Sequence, residues 1–433
     1  MQLIKTFLRL WWLTRLPRRV HWRWWIGVTG LFVFSVVVMH GNALELSPTS
    51  RATAASSFSL EEWVIRNLGA KALSGLFDFL PGQGNSDEER ESALNAYFAL
   101  GNQVRRIEGS IALSVAKDRV GYKENQEVIA IEQQLDDLRR QRGYLSDMVE
   151  QKLEKTVATV LRQNDLDRNW GPLKPLFPPV SFRLDRLPKL IVVSARDHIA
   201  TLEVHLLKPE LSITDRDLLE ATVGPDQNRS ALVIGLGGLA TFPSLVSDSQ
   251  TLRFSLQTII HEWLHHYFFF HALGQSYYDS ANMTTLNETA ADIGGKELGD
   301  LAFVAFGGEI SPPTTTWLDQ PLVDGDRFEF NRAMRETRMR TDELLGAGLV
   351  AEAEAYMEER RKIFVDNGYP IRVLNQAYFA FYGTYAENAA SVSPIASELR
   401  QVRVDSSDVG QFIKRVRGFG DYQSFLNYVA GLP

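Results

Sequence analysis

Four of the chain's eight histidines, His261, His265, His266 and His271, fall within eleven residues, and the tightest arrangement among them is His261-Glu262-x-x-His265. Leu256, Ile259, Ile260, Trp263 and Leu264 recur around it at three-and-four spacing, and no Gly or Pro interrupts 251–273. The stretch is therefore expected to be a helix. Positions i and i+4 of a helix share a face one turn apart, so two imidazoles there can reach one metal ion. Glu262, next to the first of them, can address a metal-bound water without ligating the metal. The plainer reading is a helix carrying ordinary core and surface histidines.

Downstream, Leu286-Asn287-Glu288-Thr289-Ala290-Ala291-Asp292 places one acid 23 residues after His265 and a second acid four positions later. If 286–298 is helical, Glu288 and Asp292 share a face. Glu288 can then complete a His-His-Glu donor set that leaves a fourth position open, as catalytic zinc requires. Asp292 is placed to accept the second N–H of a ligand imidazole and so fix its tautomer. The plainer reading of both acids is a charged helix face.

Taken together, the two motifs resemble those of the gluzincins, the thermolysin-like metallopeptidases, in which HExxH is followed by Asn-Glu-x-x-x-Asp on a second helix. The likeness covers roughly residues 255–300. It implies a zincin-like domain in which His261, His265 and Glu288 bind Zn2+, Glu262 is the general base and Asp292 orients a ligand. The implied activity is hydrolysis of a peptide or protein substrate at the amide bond. Such enzymes also steady the tetrahedral oxyanion with a further donor. Asn375, Tyr378, Tyr382 and Tyr385 fall on one helical face, and Tyr382 is the residue expected in that role. Gly237–Phe242 carries no acid, so the amine-binding strand of the aminopeptidase branch is missing and strict aminopeptidase activity is not expected. The strand 237–246 is a candidate for binding an extended peptide. Arg335, Arg338 and Arg340 offer cations for a substrate carboxylate, or simply a solvated helix face.

The elements that must position these residues follow from pattern. Ser59-x-x-Glu62 and Ser86-x-x-Glu89 are capping-box signatures that open helices. Val128, Ile131, Leu135, Leu138, Leu145, Met148 and Leu153 repeat at three-and-four spacing. Residues 59–166 are thus expected to form a long helical hairpin with coiled-coil character. Its apolar stripe over 124–165 either receives a helical partner or is buried on the next domain. Prolines 172, 175, 178 and 179 mark a boundary, and Lys189–Ala195, Ala200–Leu207 and Ala231–Val246 read as strands. The expected fold class is α+β: an N-terminal transmembrane helix, the hairpin, then a metallopeptidase domain over 167–433 with a mixed or antiparallel sheet followed by a mainly helical part.

Composition bounds the rest. With 433 residues, 45% of them apolar and 23% charged, the chain can bury a sizeable core. The absence of cysteine excludes disulfides, thiolate metal sites and thiol catalysis. A net charge of −7 argues against a nucleic-acid partner. Six cations, from Lys5 to Arg23, precede the first acid, Glu45, and no charge interrupts 24–44. That segment is long enough to cross a hydrocarbon layer of about 30 Å. The expectation is a basic cytoplasmic tip (1–23), a single-pass anchor (24–40), a tether (41–58) and a body outside the cytoplasm. A cleaved signal ending near Gly41-Asn42-Ala43 would give the body the same location. Two other functions remain open. One is a membrane-tethered helical scaffold with a structural metal or none. The other is an intramembrane metalloprotease using Val323-Asp324-Gly325.

Overall fold

A computed structural model describes residues 47–77, 86–117, 126–167, 175–224, 228–310 and 328–432. The expected tip and anchor, and Val323-Asp324-Gly325, lie outside these residues. Among the described residues no helix is long and apolar enough to cross a membrane. The two longest, Asp87–Lys117 and Ala281–Ala305, carry nine and five charged residues. The structure therefore gives no support to the single-pass anchor in the expected fold class, nor to the extracytoplasmic placement argued from it.

The expected tether is not one over its described part. Ser47 caps a short helix α1 (Pro48–Thr53) in which Thr49 and Thr53 are buried. Ser47 Oγ donates to Glu203 Oε2 at 2.7 Å. Backbone bonds Phe58 N to Leu206 O and Lys208 N to Ser56 O then extend the edge of a sheet.

Helix α2 (Leu60–Phe77) follows, then α3 (Asp87–Lys117), opened by a complete Ser86–Glu89 capping box. The periodic run 124–165 is two helices, α4 (Gln126–Gly143) and α5 (Ser146–Gln163), broken at Tyr144–Leu145. Helices α3 and α4 form the hairpin, meeting through Val104, Leu135 and Leu138. The stripe of α5, Val149, Leu153, Val157, Val160 and Leu161, is buried within the protein's own core. A buried ion cluster locks α5 to the strand that follows. Glu150 pairs with Lys71 Nζ at 3.0 Å and Arg183 Nη1 at 2.9 Å, and it accepts from Leu184 N at 2.8 Å.

Two three-stranded sheets come next. Their members are β1 (Phe182–Asp185), β2 (Lys189–Ala195), β3 (Thr201–Leu207), helix α6 (Ile213–Val223) between strands, β4 (Arg229–Gly235), β5 (Gly238–Leu239) and β6 (Ser244–Ser247). One sheet is antiparallel in the order β3-β2-β4, with Lys189 opposite both Leu207 and Gly235. The other, β1-β6-β5, pairs β1 with β6 in parallel and β5 with β6 antiparallel. Alternation along β2 sends Ile191 and Val193 toward Leu219 and Val223 of α6, and Val192 toward Ala377 on the other face.

The remainder is helical: α7 (Leu252–Phe269), α8 (Ala272–Gln275), α9 (Ala281–Ala305), α10 (Phe330–Gly346), α11 (Val350–Asp366), α12 (Gln376–Tyr382), α13 (Ile395–Val404), α14 (Val409–Val416) and α15 (Tyr422–Ala430). Helices α7 and α9 pack at near backbone contact. A Cβ on Gly299 would lie 2.6 Å from Gln257 Cα, and one on Gly295 would lie 3.0 Å from His261 Cβ. One hydrophobic core joins α3 and α5 to α7, α9 and α13–α15. The architecture is thus mixed α/β, mostly helix with two small sheets, and not the expected stalk followed by a separate α+β domain. Helices before and after the strands bury their stripes against each other, and that shared burial erases the boundary at 166.

Candidate metal centre

Helix α7 starts at a Thr251 cap and sinks Leu256, Ile259, Ile260, Trp263 and Leu264 into the core. Trp263 Nε1 donates to Pro178 O at 2.8 Å, which fixes the rotation of the helix. His261 and His265 are thereby turned toward α9. Their Nε2 atoms lie 3.0 Å apart, and each is 3.5 Å from Glu288 Oε2. Among the described residues these three form the group able to hold a metal ion.

The triangle fits zinc. Bonds of about 2.0–2.1 Å in a tetrahedron separate neighbouring ligand atoms by about 3.3–3.4 Å, close to the observed sides. Two imidazole nitrogens and one carboxylate oxygen are borderline donors of the kind zinc takes, whereas calcium and magnesium take oxygen. The donors are held from behind. His265 Nδ1 lies 2.9 Å from Asn287 Oδ1, and Asn287 Nδ2 donates to Leu273 O at 3.2 Å. The Leu273 carbonyl fixes the amide, the amide accepts the Nδ1 proton, and Nε2 of His265 is the atom left facing the triangle. Tyr277 Oη donates to Glu288 Oε1, leaving Oε2 for the imidazoles. Burial works against charge on His265, yet the Glu288 charge and hydrogen bond outweigh it and push the imidazole up to about 9. Burial likewise works against Glu288, but the two histidines hold its carboxyl well below the usual range. The cluster attracts positive charge.

Glu262 is buried beside the triangle at 6% exposure, and burial raises its carboxyl above the ordinary value. Strand β5 passes so close that a Cβ on Gly238 would overlap the Glu262 carboxylate. Glycine there is what lets the strand and the acid share one cleft. The cleft, about 470 Å³, is walled by Gly237, Gly238, His261, Glu262, Asp292, Tyr382 and Tyr385 among others.

Of the four residues expected on one helical face, only two reach the cleft. Asn375 caps α12 and donates to Ala231 O at 3.0 Å, and Tyr378 packs on Tyr382 at 4.5 Å between ring centroids. Tyr382 does line the cleft, but Tyr385, past the end of α12, lies nearer the donors, its ring centroid 6.4 Å from that of His261. Burial first, then the charges of Glu288, Glu262 and Asp292, drive its phenol well above the ordinary value, so it stays a proton donor. Asp292 also faces the cleft, with its carboxylate on Lys296 Nζ at 2.6 Å. For His265 the Nδ1 partner is Asn287.

The remaining histidines of the cluster are structural. His266 is buried, held down to about 4 by burial and by His265, and bonded to the backbone at Ala240 and Thr241. His271 caps α8 and its Nδ1 meets Tyr267 O at 2.8 Å. Arg335 and Arg338 are bound to backbone carbonyls of Ser391 and Ala390, and Arg340 to Glu343. Sequence reasoning passed over Asn287 and Tyr277 as working residues, and it ranked Tyr385, one of its four candidates, behind Tyr382. Asn287 carried a signal, since it precedes Glu288 inside the motif; Tyr277 carried none.

Compared with protein-family models, curated proteins and solved structures, the chain matches none.

Proposed function

We propose that this protein is a zinc-dependent metallopeptidase that hydrolyses peptide bonds in the cleft between β5 and α7. The observation that carries the reading is the triangle of His261, His265 and Glu288, with sides of 3.0–3.5 Å and a buried carboxylate, Glu262, next to it. A bound zinc ion would supply Lewis acidity to water and to the scissile carbonyl.

Glu262 does the proton work. Its raised pKa suits a base that must also give the proton back. It takes a proton from the attacking water as the carbon–oxygen bond forms, and returns it to the amine nitrogen as the carbon–nitrogen bond breaks. Tyr385 Oη–H donates to the carbonyl oxygen as negative charge gathers there. The outer edge of β5, free of a strand partner in the sheet order β1-β6-β5, offers backbone groups to an extended peptide.

The test is metal content followed by turnover. The purified chain should hold close to one zinc and cleave a peptide library in a chelator-sensitive way. Glu262→Gln should keep the zinc and lose on the order of 10²–10⁴-fold in rate. A chain that binds no zinc, or a variant as active as the parent, overturns the reading.

A further inference from the structure

A second cavity, about 460 Å³, lies across the Gly235–Leu236 backbone from the metal cleft, and those two residues line both. Its wall is cationic: Arg139, Arg186, Lys189, Arg216 and Arg372 face it, against Glu108 and Asp248. The two acids are already engaged, Glu108 by Arg139 at 2.5 Å and Asp248 by Arg142 at 3.5 Å. Arg372 is held by Glu220, at 2.9 Å from Nη1, and by Asp217. Arg186 meets only Glu210, at 3.8 Å.

Lys189 and Arg216 are left over. Among the described residues neither has an ion-pair partner; Arg216 Nε donates to the Leu211 carbonyl at 3.2 Å. Burial, with Arg216 and Arg186 adding to it, pulls the Lys189 ammonium down to about 8, and burial with Arg372 pulls Arg216 to about 10. Both remain charged at neutral pH. Acids stand nearby, Glu108 and Glu210 for Lys189 and Glu220 and Asp217 for Arg216, but largely buried like charges that none of them pairs directly work against the fold. Lys71 and Arg183, by contrast, both meet the carboxylate of Glu150. Among the described residues the wall's five cations outnumber its two acids, and the cavity suits a further acid.

Its position says which acid. Lys189 sits opposite Gly235 in the β2–β4 register, and a Cβ on Gly235 would meet nothing within 4 Å. The backbone between the cavities is therefore a bare saddle. A peptide lying along β5 has one direction open toward Glu262 and His261 and another over the saddle toward Lys189 and Arg216. We propose that the cavity lined by Lys189 and Arg216 is a substrate subsite that receives the carboxylate of an Asp or Glu side chain from a peptide whose scissile bond lies in the metal cleft. This rests on the metallopeptidase reading and gives it a substrate class, acidic peptides.

The experiment uses twin fluorescent peptides that differ only by Glu against Gln a few residues from the cleavage point. Binding is read by anisotropy on the full chain carrying Glu262→Gln, and cleavage on the parent chain. The Glu peptide should bind about tenfold more tightly than its twin, as a charge-assisted pair warrants. That margin should vanish in Lys189→Met/Arg216→Met, whose melting temperature should hold or rise. Gly235→Val, which fills the saddle and leaves both charges in the chain, should erase the margin too, so a misfolded double variant does not spare the proposal. Equal binding of the twins, a margin that survives both variants, or displacement of both twins alike by inorganic phosphate overturns it. Cleavage without preference overturns the subsite and leaves the peptidase standing. Preferential binding without any cleavage supports the subsite and overturns the peptidase.

Discussion

At the scale of single residues, the centre depends on groups that never touch a substrate. Asn287 decides which nitrogen of His265 carries the proton, and its own orientation comes from the Leu273 carbonyl. Asn287→Ala is expected to weaken zinc binding by about 10–100-fold, measured by competition with a chromophoric chelator, with the fold intact by circular dichroism. A variant that binds zinc as tightly as the parent removes Asn287 from that role. Tyr385 and Tyr382 separate by distance to the donors. Tyr385→Phe should cost on the order of 10²–10³-fold in kcat with zinc retained, the loss typical of a missing oxyanion donor, while Tyr382→Phe should cost far less. The reverse order would restore Tyr382 to the role expected from sequence.

At the scale of elements, the clearest dependence on pH lies far from the cleft. Burial works to raise the Glu203 carboxyl, but bonds from Ser47, Arg229, His205 and Thr49 outweigh it and hold it at about 2. A carboxyl depressed in the folded state contributes stability that is complete above its ordinary value of 4.5 and lost as pH falls toward 2. Amide exchange in 47–58 should accelerate across that window, ahead of α7 and α9; a uniform acceleration would show that Glu203 does not hold the segment. How far such elements could be foreseen depended on whether their cause was local. Lys189–Ala195 was legible to the residue because Ile191, Val192 and Val193 are apolar on both faces of a buried strand, and the Ser86–Glu89 box announced α3. The meeting of Glu288 with His261 and His265 was legible because motif spacing is local once the helix is assumed. The break at Tyr144–Leu145 was not, since apolar periodicity continues straight through it. Tyr277 and Tyr385 were not either: Tyr277 reaches Glu288, and Tyr385 reaches His261, only through the way distant helices cross. Folding of 47–58 depended on a partner, Glu203, that no local pattern names.

At the scale of the whole molecule, the shared core makes a prediction about truncation. Residues 59–166 were expected to be a stalk, yet Ala93, Leu94, Tyr97, Val149, Leu153 and Val157 are buried with Leu256, Trp263 and Leu286. Each fully buried Leu or Val stabilises by about 1.5–3 kcal/mol, so Leu94, Val149, Leu153 and Val157 together contribute roughly as much as the whole net stability of an ordinary domain, about 5–15 kcal/mol. A chain beginning at residue 167 should therefore aggregate or remain unfolded, read by circular dichroism and gel filtration. A folded, zinc-binding product from that truncation would show the hairpin to be dispensable. The parent should unfold in one transition, with the probes in α5 and α9 coincident.

The loop that carries Tyr385 is riveted to α9, because Ala386 N donates to Thr289 Oγ1 at 3.1 Å and Glu387 takes Lys296 Nζ at 3.0 Å. Helix α9 also bears Glu288. The aromatic side and the third donor thus travel as a single rigid jaw. The facing side is a strip of two paired residues, Gly238 and Leu239, joined to β6 by a short ladder. If the chain cleaves peptides as proposed, a bulky one enters by the thin strip yielding while the jaw stays put.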